Sequence, residues 1–329
     1  MKIDIHTHIM PEKVPNWVQK FGYGEFIHIE HRNCKACMMK GDKVFREVSD
    51  NCFQPGVRIK EMDEHHVTIQ VLSTIPVLFN YWAKPKDALE TSKFFNDHIA
   101  DTVEKNSGRF IGIGTVPLQD VDIAVEEMKR CVHELKMPGL EIGTNVNGKN
   151  LSEKEFFAFY KAAEELGCAL FVHPWEMMGE AQMQRYWLPW LVGMPSETSR
   201  AICSMIFAGV FEQFPKLRIA FAHGGGSFPF IIGRIEHGFH VRPDLTAFDN
   251  NINPRNYLGK FWIDSLVHDA DVLQYLINLM GDEKICLGTD YPFPLGESQP
   301  GKLIEEMQLD NVISKEKLLY QNAREWLNI

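Results

Sequence analysis

The chain has 329 residues, 45% of them hydrophobic, and its 34 Lys and Arg against 44 Asp and Glu leave a formal net charge of −10. That length suits one large α/β barrel or two ordinary domains, and the apolar content suffices for a sizeable core. The acidic balance argues against nucleic acid or an anionic membrane surface as partner, but not against a small anionic substrate held by locally gathered arginines. No apolar run approaches the ~20 residues of a membrane span, and the charged opening strand leaves no room for a signal peptide. Seven scattered cysteines, an odd number, point to a reducing cytoplasm rather than a disulfide framework.

The chain opens on Ile3-Asp4-Ile5-His6-Thr7-His8, read as a short strand. Alternation puts His6 and His8 on one side with Cα atoms about 7 Å apart, so two ring nitrogens can converge on one metal ion. A His-x-His pair also occurs in ordinary sheets, so spacing alone leaves both readings open. Residues 11–55 are irregular and are read as a strand-rich insertion around the turn Lys40-Gly41-Asp42-Lys43, inside a single domain spanning 1–329.

From Val57 the pattern turns regular. A helix-like run over 58–67 leads to the strand Thr68–Ser73, and a long amphipathic helix over 87–105 to the strand Phe110–Gly114. Asp120 is an N-cap for the next helix, and the strand Gly139–Ile142 follows. Ser152-Glu153-Lys154-Glu155 matches a capping box before a helix ending near Gly167. The strand Ala169–His173, a helix over 196–214 and the strand Leu217–His223 come next. A helix over 231–239, the strand Phe261–Ser265, a helix over 271–280 and the strand Ile285–Asp290 close the series. Eight near-continuous apolar strands separated by helices indicate a parallel sheet, and favour a closed (β/α)8 TIM barrel over two doubly wound domains.

In such a barrel the active-site groups sit at the C-terminal strand ends. His6 and His8 end the first strand, His173 the fifth, His223 the sixth and Asp290 the eighth. Imidazoles with a carboxylate suit Zn²⁺ or another divalent transition ion. Each residue also has a structural reading: His173 closing a turn before Pro174, His223 marking the tight Gly224-Gly225-Gly226 turn, Asp290 serving as a turn carboxylate. Their joint placement on one rim favours the functional reading, since buried polar groups seldom gather without a role.

The runs Asp4-Ile5-His6-Thr7-His8, Phe171-Val172-His173-Pro174-Trp175, Phe221-Ala222-His223-Gly224-Gly225-Gly226 and Leu287-Gly288-Thr289-Asp290-Tyr291-Pro292-Phe293-Pro294 resemble the decarboxylating branch of the amidohydrolase superfamily. The stretches Lys43-Val44-Phe45-Arg46 and Tyr186-Trp187-Leu188-Pro189-Trp190-Leu191-Val192-Gly193-Met194-Pro195 extend the likeness over essentially the whole chain. The resemblance implies His6, His8, His173 and Asp290 as ligands of one zinc ion, and His223 as catalytic base. It implies Arg46 and Arg234 as grips for substrate carboxylates, Trp190 and Phe293 as pocket walls, and a homodimer in which Arg234 reaches the neighbouring subunit's site. The implied substrate is a small anionic dicarboxylate, a conjugated semialdehyde of tryptophan breakdown. Without the resemblance, Arg46 reads as a solvated loop charge and Arg234 as part of a helix-surface ion pair.

Two rivals keep the barrel: a lactone or amide hydrolase, and a decarboxylase of aromatic acids. A third is a non-catalytic barrel that binds a partner through the 11–55 insertion. His28, His31, Cys34 and Cys37 suggest a second zinc site by composition, but their spacing is too short for the usual finger layouts. Glu141 ends the fourth strand and is read as structural; His65, His66, His98, His133 and His268 are read as surface or helix-end residues.

Overall fold

The computed structural model describes residues 1–32, 35–308 and 314–329. The first strand, β1 (Ile3–His8), is followed by three insertion strands, β2 (Ile27–Arg32), β3 (Lys35–Lys40) and β4 (Lys43–Val48). The barrel resumes with β5 (Ile69–Ser73), β6 (Phe110–Gly114) and β7 (Gly139–Gly143). A two-residue hairpin, β8 (Asn145–Val146) and β9 (Lys149–Asn150), precedes β10 (Ala169–His173), β11 (Ile219–Phe221), β12 (Trp262–Asp264) and β13 (Ile285–Cys286).

Eight of these strands form one sheet in the order β1-β5-β6-β7-β10-β11-β12-β13, every pair parallel. The last meets the first: Ile5 N donates to Leu287 O at 2.9 Å and His8 N to Tyr291 O at 2.7 Å. The expected (β/α)8 barrel is therefore the observed one. Helices Pro85–Lys105, Val121–His133, Phe157–Leu166, Met194–Phe207, Phe228–Val241 and Ala270–Met280 cover its outer face. Among the described residues no helix is long and apolar enough to cross a membrane.

Ile3, Ile5, Phe171, Ala222 and Trp262 fill the barrel interior, with Trp326 of the terminal helix Asn322–Leu327 packed against them. The register of β1 against β5 shifts between Asp4 and Thr7. That irregularity lets β1 send Ile5 into this core and the neighbouring His6 ring to within 4.9 Å of Phe171, as bulges beside active sites do. Strands β2, β3 and β4 form a separate antiparallel sheet with Met38 opposite Arg46. Its buried side chains Ile27 and Met38 pack with Met10, Ile75 and Leu78, which seats the sheet over the barrel mouth.

Several expected boundaries move. The box at Ser152 does not form: Lys154–Phe156 is a 3-10 turn that follows Glu153 with no side-chain capping bond, and the helix starts at Phe157. The helix expected over 196–214 breaks at Gly209, which takes φ +72° between Met194–Phe207 and Val210–Gln213. Strand eight ends at Cys286, because Leu287 N turns to Leu318 O at 2.7 Å. His98 lies inside Pro85–Lys105 and is partly buried rather than exposed.

Candidate active site

All the chemistry-bearing strand ends open on one mouth of the barrel. His6, His8, His173 and Asp290 each offer one ligand atom, and these four atoms lie within 4.8 Å of one another. Among the described residues this is the one such group of His, Cys, Asp and Glu side chains. Ring centroids stand 5.1 Å apart for His6–His8, 5.0 Å for His6–His173 and 5.1 Å for His8–His173. His8 Nε2 is 3.1 Å and His6 Nε2 3.5 Å from Asp290 Oδ1.

Hydrogen bonds on the far side of each ring fix which nitrogen faces the centre. His6 Nδ1 donates to Asp264 Oδ2 at 2.7 Å, His8 Nδ1 to Thr74 O at 2.8 Å and His173 Nδ1 to Pro174 O at 3.0 Å. Each acceptor demands a proton on Nδ1, so each neutral ring turns the Nε2 lone pair inward. All three Nε2 atoms are buried and find no hydrogen-bond partner among the described residues. Burial lowers the His6 pKa, with the Asp264 hydrogen bond opposing it. Burial lowers His173 well below the ordinary histidine value, and the neighbouring imidazoles add to it. Burial alone would raise the Asp290 carboxyl, but the adjacent His223 and His8 rings and the electrostatic influence of His6 and His8 outweigh it and hold it well below the usual carboxylate range. Lone pairs and a carboxylate thus face one point with no proton between them. Such a nest fits a divalent cation.

His223 lies just beyond β11, in a 3-10 turn at φ +58°. Its ring is 5.2 Å from His6 and 5.1 Å from His173, and its Nε2 is 3.8 Å from Asp290 Oδ2. The left-handed backbone there is held by Asp264, which accepts from His223 N at 2.9 Å and Gly224 N at 2.8 Å. Asp264 escaped the sequence reading. It ends β12 as Asp290 follows β13, so the same strand-end filter would have admitted it. One carboxylate thereby orients His6 and shapes the turn that presents His223.

The space above the four ligand atoms is walled by Arg46, Trp175, Trp187, Trp190 and Phe293. The Arg46 guanidinium lies 4.4 Å from the Phe293 ring centroid and 6.0 Å from that of Trp190. Burial lowers its pKa, while the charge of Asp290 pulls the other way. Arg234 stands apart from this pocket, exposed on the helix Phe228–Val241. Glu141 is fully buried, 3.7 Å from His8 Nδ1, and burial raises its carboxyl well above the ordinary range. Of the His28, His31, Cys34 and Cys37 quartet, Cys34 lies outside the described residues, Cys37 is buried, and His28 Nε2 is 3.3 Å from Glu30.

A second residue the sequence reading passed over is Arg58, fully buried in the helix Pro55–Glu64. Its Nη1 donates to His8 O at 2.7 Å and Asn51 O at 3.1 Å, its Nε to Gln70 Oε1 at 3.2 Å, and its guanidinium stacks 4.6 Å from Tyr291. It ties the ends of strands one and eight to the segment leading out of the insertion.

A barrel with a histidine and aspartate cation nest at its mouth defines a metal-dependent amidohydrolase-type enzyme, and the amidohydrolase family model matches residues 3–329. The chain belongs to that family. It is 56% identical over 330 residues to the 2-amino-3-carboxymuconate-6-semialdehyde decarboxylase of Dictyostelium discoideum, covering all of this chain and 92% of that protein. The Caenorhabditis elegans protein of the same name is 40% identical, over all of this chain and 94% of its own. Among solved structures, 5-carboxyvanillate decarboxylase from Sphingomonas paucimobilis superposes with a TM-score of 0.83 at 23% identity, covering 100% of this chain and 99% of that one. A dihydroxybenzoic acid decarboxylase from Polaromonas, solved with bound manganese and 2-nitroresorcinol, gives a TM-score of 0.78 at 20% identity, covering 99% of this chain and 96% of that one.

Proposed function

We propose that this chain is a zinc-dependent, oxygen-independent decarboxylase that converts 2-amino-3-carboxymuconate 6-semialdehyde to 2-aminomuconate 6-semialdehyde and CO₂, the activity named in its 56%-identical relative. The observation that carries this reading is the inward-facing set of three Nε2 lone pairs and the Asp290 carboxylate, overhung by the Arg46 guanidinium. His6, His8, His173 and Asp290 would hold the ion, a donor set suited to Zn²⁺. When bound, the ion supplies Lewis acidity and acidifies water toward a pKa of about 7.

The remaining work falls to the chain. Arg46 grips a substrate carboxylate with a planar fork, which lets a net-acidic protein hold an anion. Trp190 and Phe293 flank the conjugated system and exclude water. As the C–C bond to the departing carboxylate breaks, its electron pair stays on a carbon conjugated with the aldehyde, and that carbon takes a proton. No oxidant enters. His223 is the group that moves the proton, through the Nε2 that stands 3.8 Å from Asp290.

Arg234, exposed beside Phe230 and Val241 on the helix Phe228–Val241, supports a homodimer in which this arginine is donated across the interface to the second substrate carboxylate. The free described cysteines support a reducing, cytoplasmic setting. There the enzyme draws the semialdehyde away from quinolinate and NAD formation. The test is anaerobic: purified protein should bleach the conjugated semialdehyde with one CO₂ per turnover, and His223→Ala should keep its metal and lose turnover. Bleaching without CO₂ would overturn the reading, and metal loss in His223→Ala would make that residue a ligand.

A further inference from the structure

The space directly over the ligand atoms is small, about 30 Å³, whereas a second cavity beside it measures about 260 Å³. A single water needs roughly 10–15 Å³ on this measure, so the inner space takes about two waters and not an extended unsaturated dicarboxylate. The two cavities share Arg46, Trp187, Trp190 and Phe293 as a common partition. Behind that partition the outer cavity is lined by Glu47, Val48, Ser49, Asn51, Cys52 and Pro292. Its surface mixes apolar walls with hydrogen-bonding groups. Ser49 precedes the 3-10 turn Asp50–Cys52, yet its hydroxyl makes no capping bond to it. That hydroxyl lines the cavity together with the polar side chains of Arg46, Glu47 and Asn51. The partition itself is a stacked cation and ring, with the guanidinium 4.4 Å from Phe293, held by no covalent or ladder constraint on the side chains.

Resting on the decarboxylase reading above, we propose that the outer cavity is the far half of the substrate site. It receives the unsaturated aldehyde arm, while the reacting carbon and the leaving carboxylate stay over the ligand cluster. Arg46 sits between the halves and binds the carboxylate that remains. Val48, Cys52 and Pro292 pack along the conjugated arm, and the Ser49 hydroxyl donates to its carbonyl oxygen. These residues set specificity by arm length: a short acid without the arm makes no contact with Val48, Ser49 or Cys52, and a longer conjugated aldehyde does.

The test fills the outer cavity without touching the ligands. Ser49→Phe and, independently, Val48→Phe are compared with wild type for KM toward the muconate semialdehyde, kcat, metal content, and Ki for maleate, a dicarboxylate that lacks the arm. Whichever variants fold are scored. The expected result is a KM raised about tenfold or more, with kcat reduced less than KM is raised, metal content unchanged and the maleate Ki within about twofold of wild type. An unchanged KM, or KM and the maleate Ki rising together, overturns the proposal while leaving the decarboxylase reading intact. A wild type that does not decarboxylate the semialdehyde overturns both.

Discussion

Replacing Asp264 by Asn changes one oxygen for one NH₂ and tests how the metal nest is oriented. Asp264 Oδ2 accepts from His6 Nδ1 at 2.7 Å and His223 N at 2.9 Å, and Oδ1 from Gly224 N at 2.8 Å and Leu266 N at 3.1 Å. All four partners are donors, and the side chain is fully buried. Burial would raise this carboxyl, but the His6 hydrogen bond, the His6 and His223 charges and the Gly224 amide outweigh it and hold it below the usual range. An amide can keep its oxygen on one pair of donors only. With Gly224 and Leu266 satisfied, its NH₂ faces His6 Nδ1 and favours the tautomer with the proton on Nε2, the atom that must stay bare. Losing one charge-assisted hydrogen bond costs about 1.5–3 kcal/mol. Orienting groups of this kind typically hold about 10–100-fold of metal affinity, or roughly 1.4–2.7 kcal/mol. Competition against a chromophoric chelator should therefore show Asp264→Asn binding Zn²⁺ about 10–100-fold more weakly, with the fold retained by circular dichroism. A variant within twofold of wild type would refute the tautomer argument.

Further outcomes follow from the same geometry. A Cβ at Gly288 would lie 2.7 Å from the Asp264 Cβ and 2.9 Å from the His6 Cβ, so Gly288→Ala should weaken metal binding and cost about 1–3 kcal/mol in a urea titration. Arg46→Lys keeps the charge and loses the fork; KM should rise about tenfold or more with metal content unchanged by elemental analysis. Burial raises the Asp4 carboxyl to about 7 despite its bond from Thr289. A folded value above the unfolded one means stability present in acid and lost as pH rises toward and through 7. In the metal-stripped protein, the stability of Asp4→Asn relative to wild type should therefore improve between pH 5 and pH 8, measured by paired denaturation curves; a difference independent of pH contradicts the burial argument.

The parts of the site that stood out in the sequence share one property: they end apolar runs. His6 and His8 end a buried strand, His173 ends the buried strand five, and His223 and Asp290 follow the buried strands six and eight; a parallel barrel brings such ends together whatever their separation along the chain. The hairpin at Gly41 was legible for a similar reason, since a turn residue between alternating segments is a local signal. Asp264 and Arg58 were not legible, because their partners are remote. Asp264 is defined by an imidazole 258 residues away, and Arg58 by a carbonyl 50 residues away. Some element limits also differ from the local pattern. The chain enters the helix at Phe157 through the 3-10 turn Lys154–Phe156, which has no side-chain cap, and Leu287 N bonds Leu318 O beyond the end of strand eight. The outer cavity joins the insertion to the loop after strand eight, so it too appears only once the chain is folded.

Anomalous diffraction from crystals grown with zinc, collected on both sides of its absorption edge, tests the metal centre most directly. The expected result is one peak per chain, within bonding distance of Nε2 of His6, His8 and His173 and of an Asp290 oxygen, with His223 outside the coordination sphere. A peak bonded to His223 in place of His173, or none among these four residues in an active preparation, would contradict it.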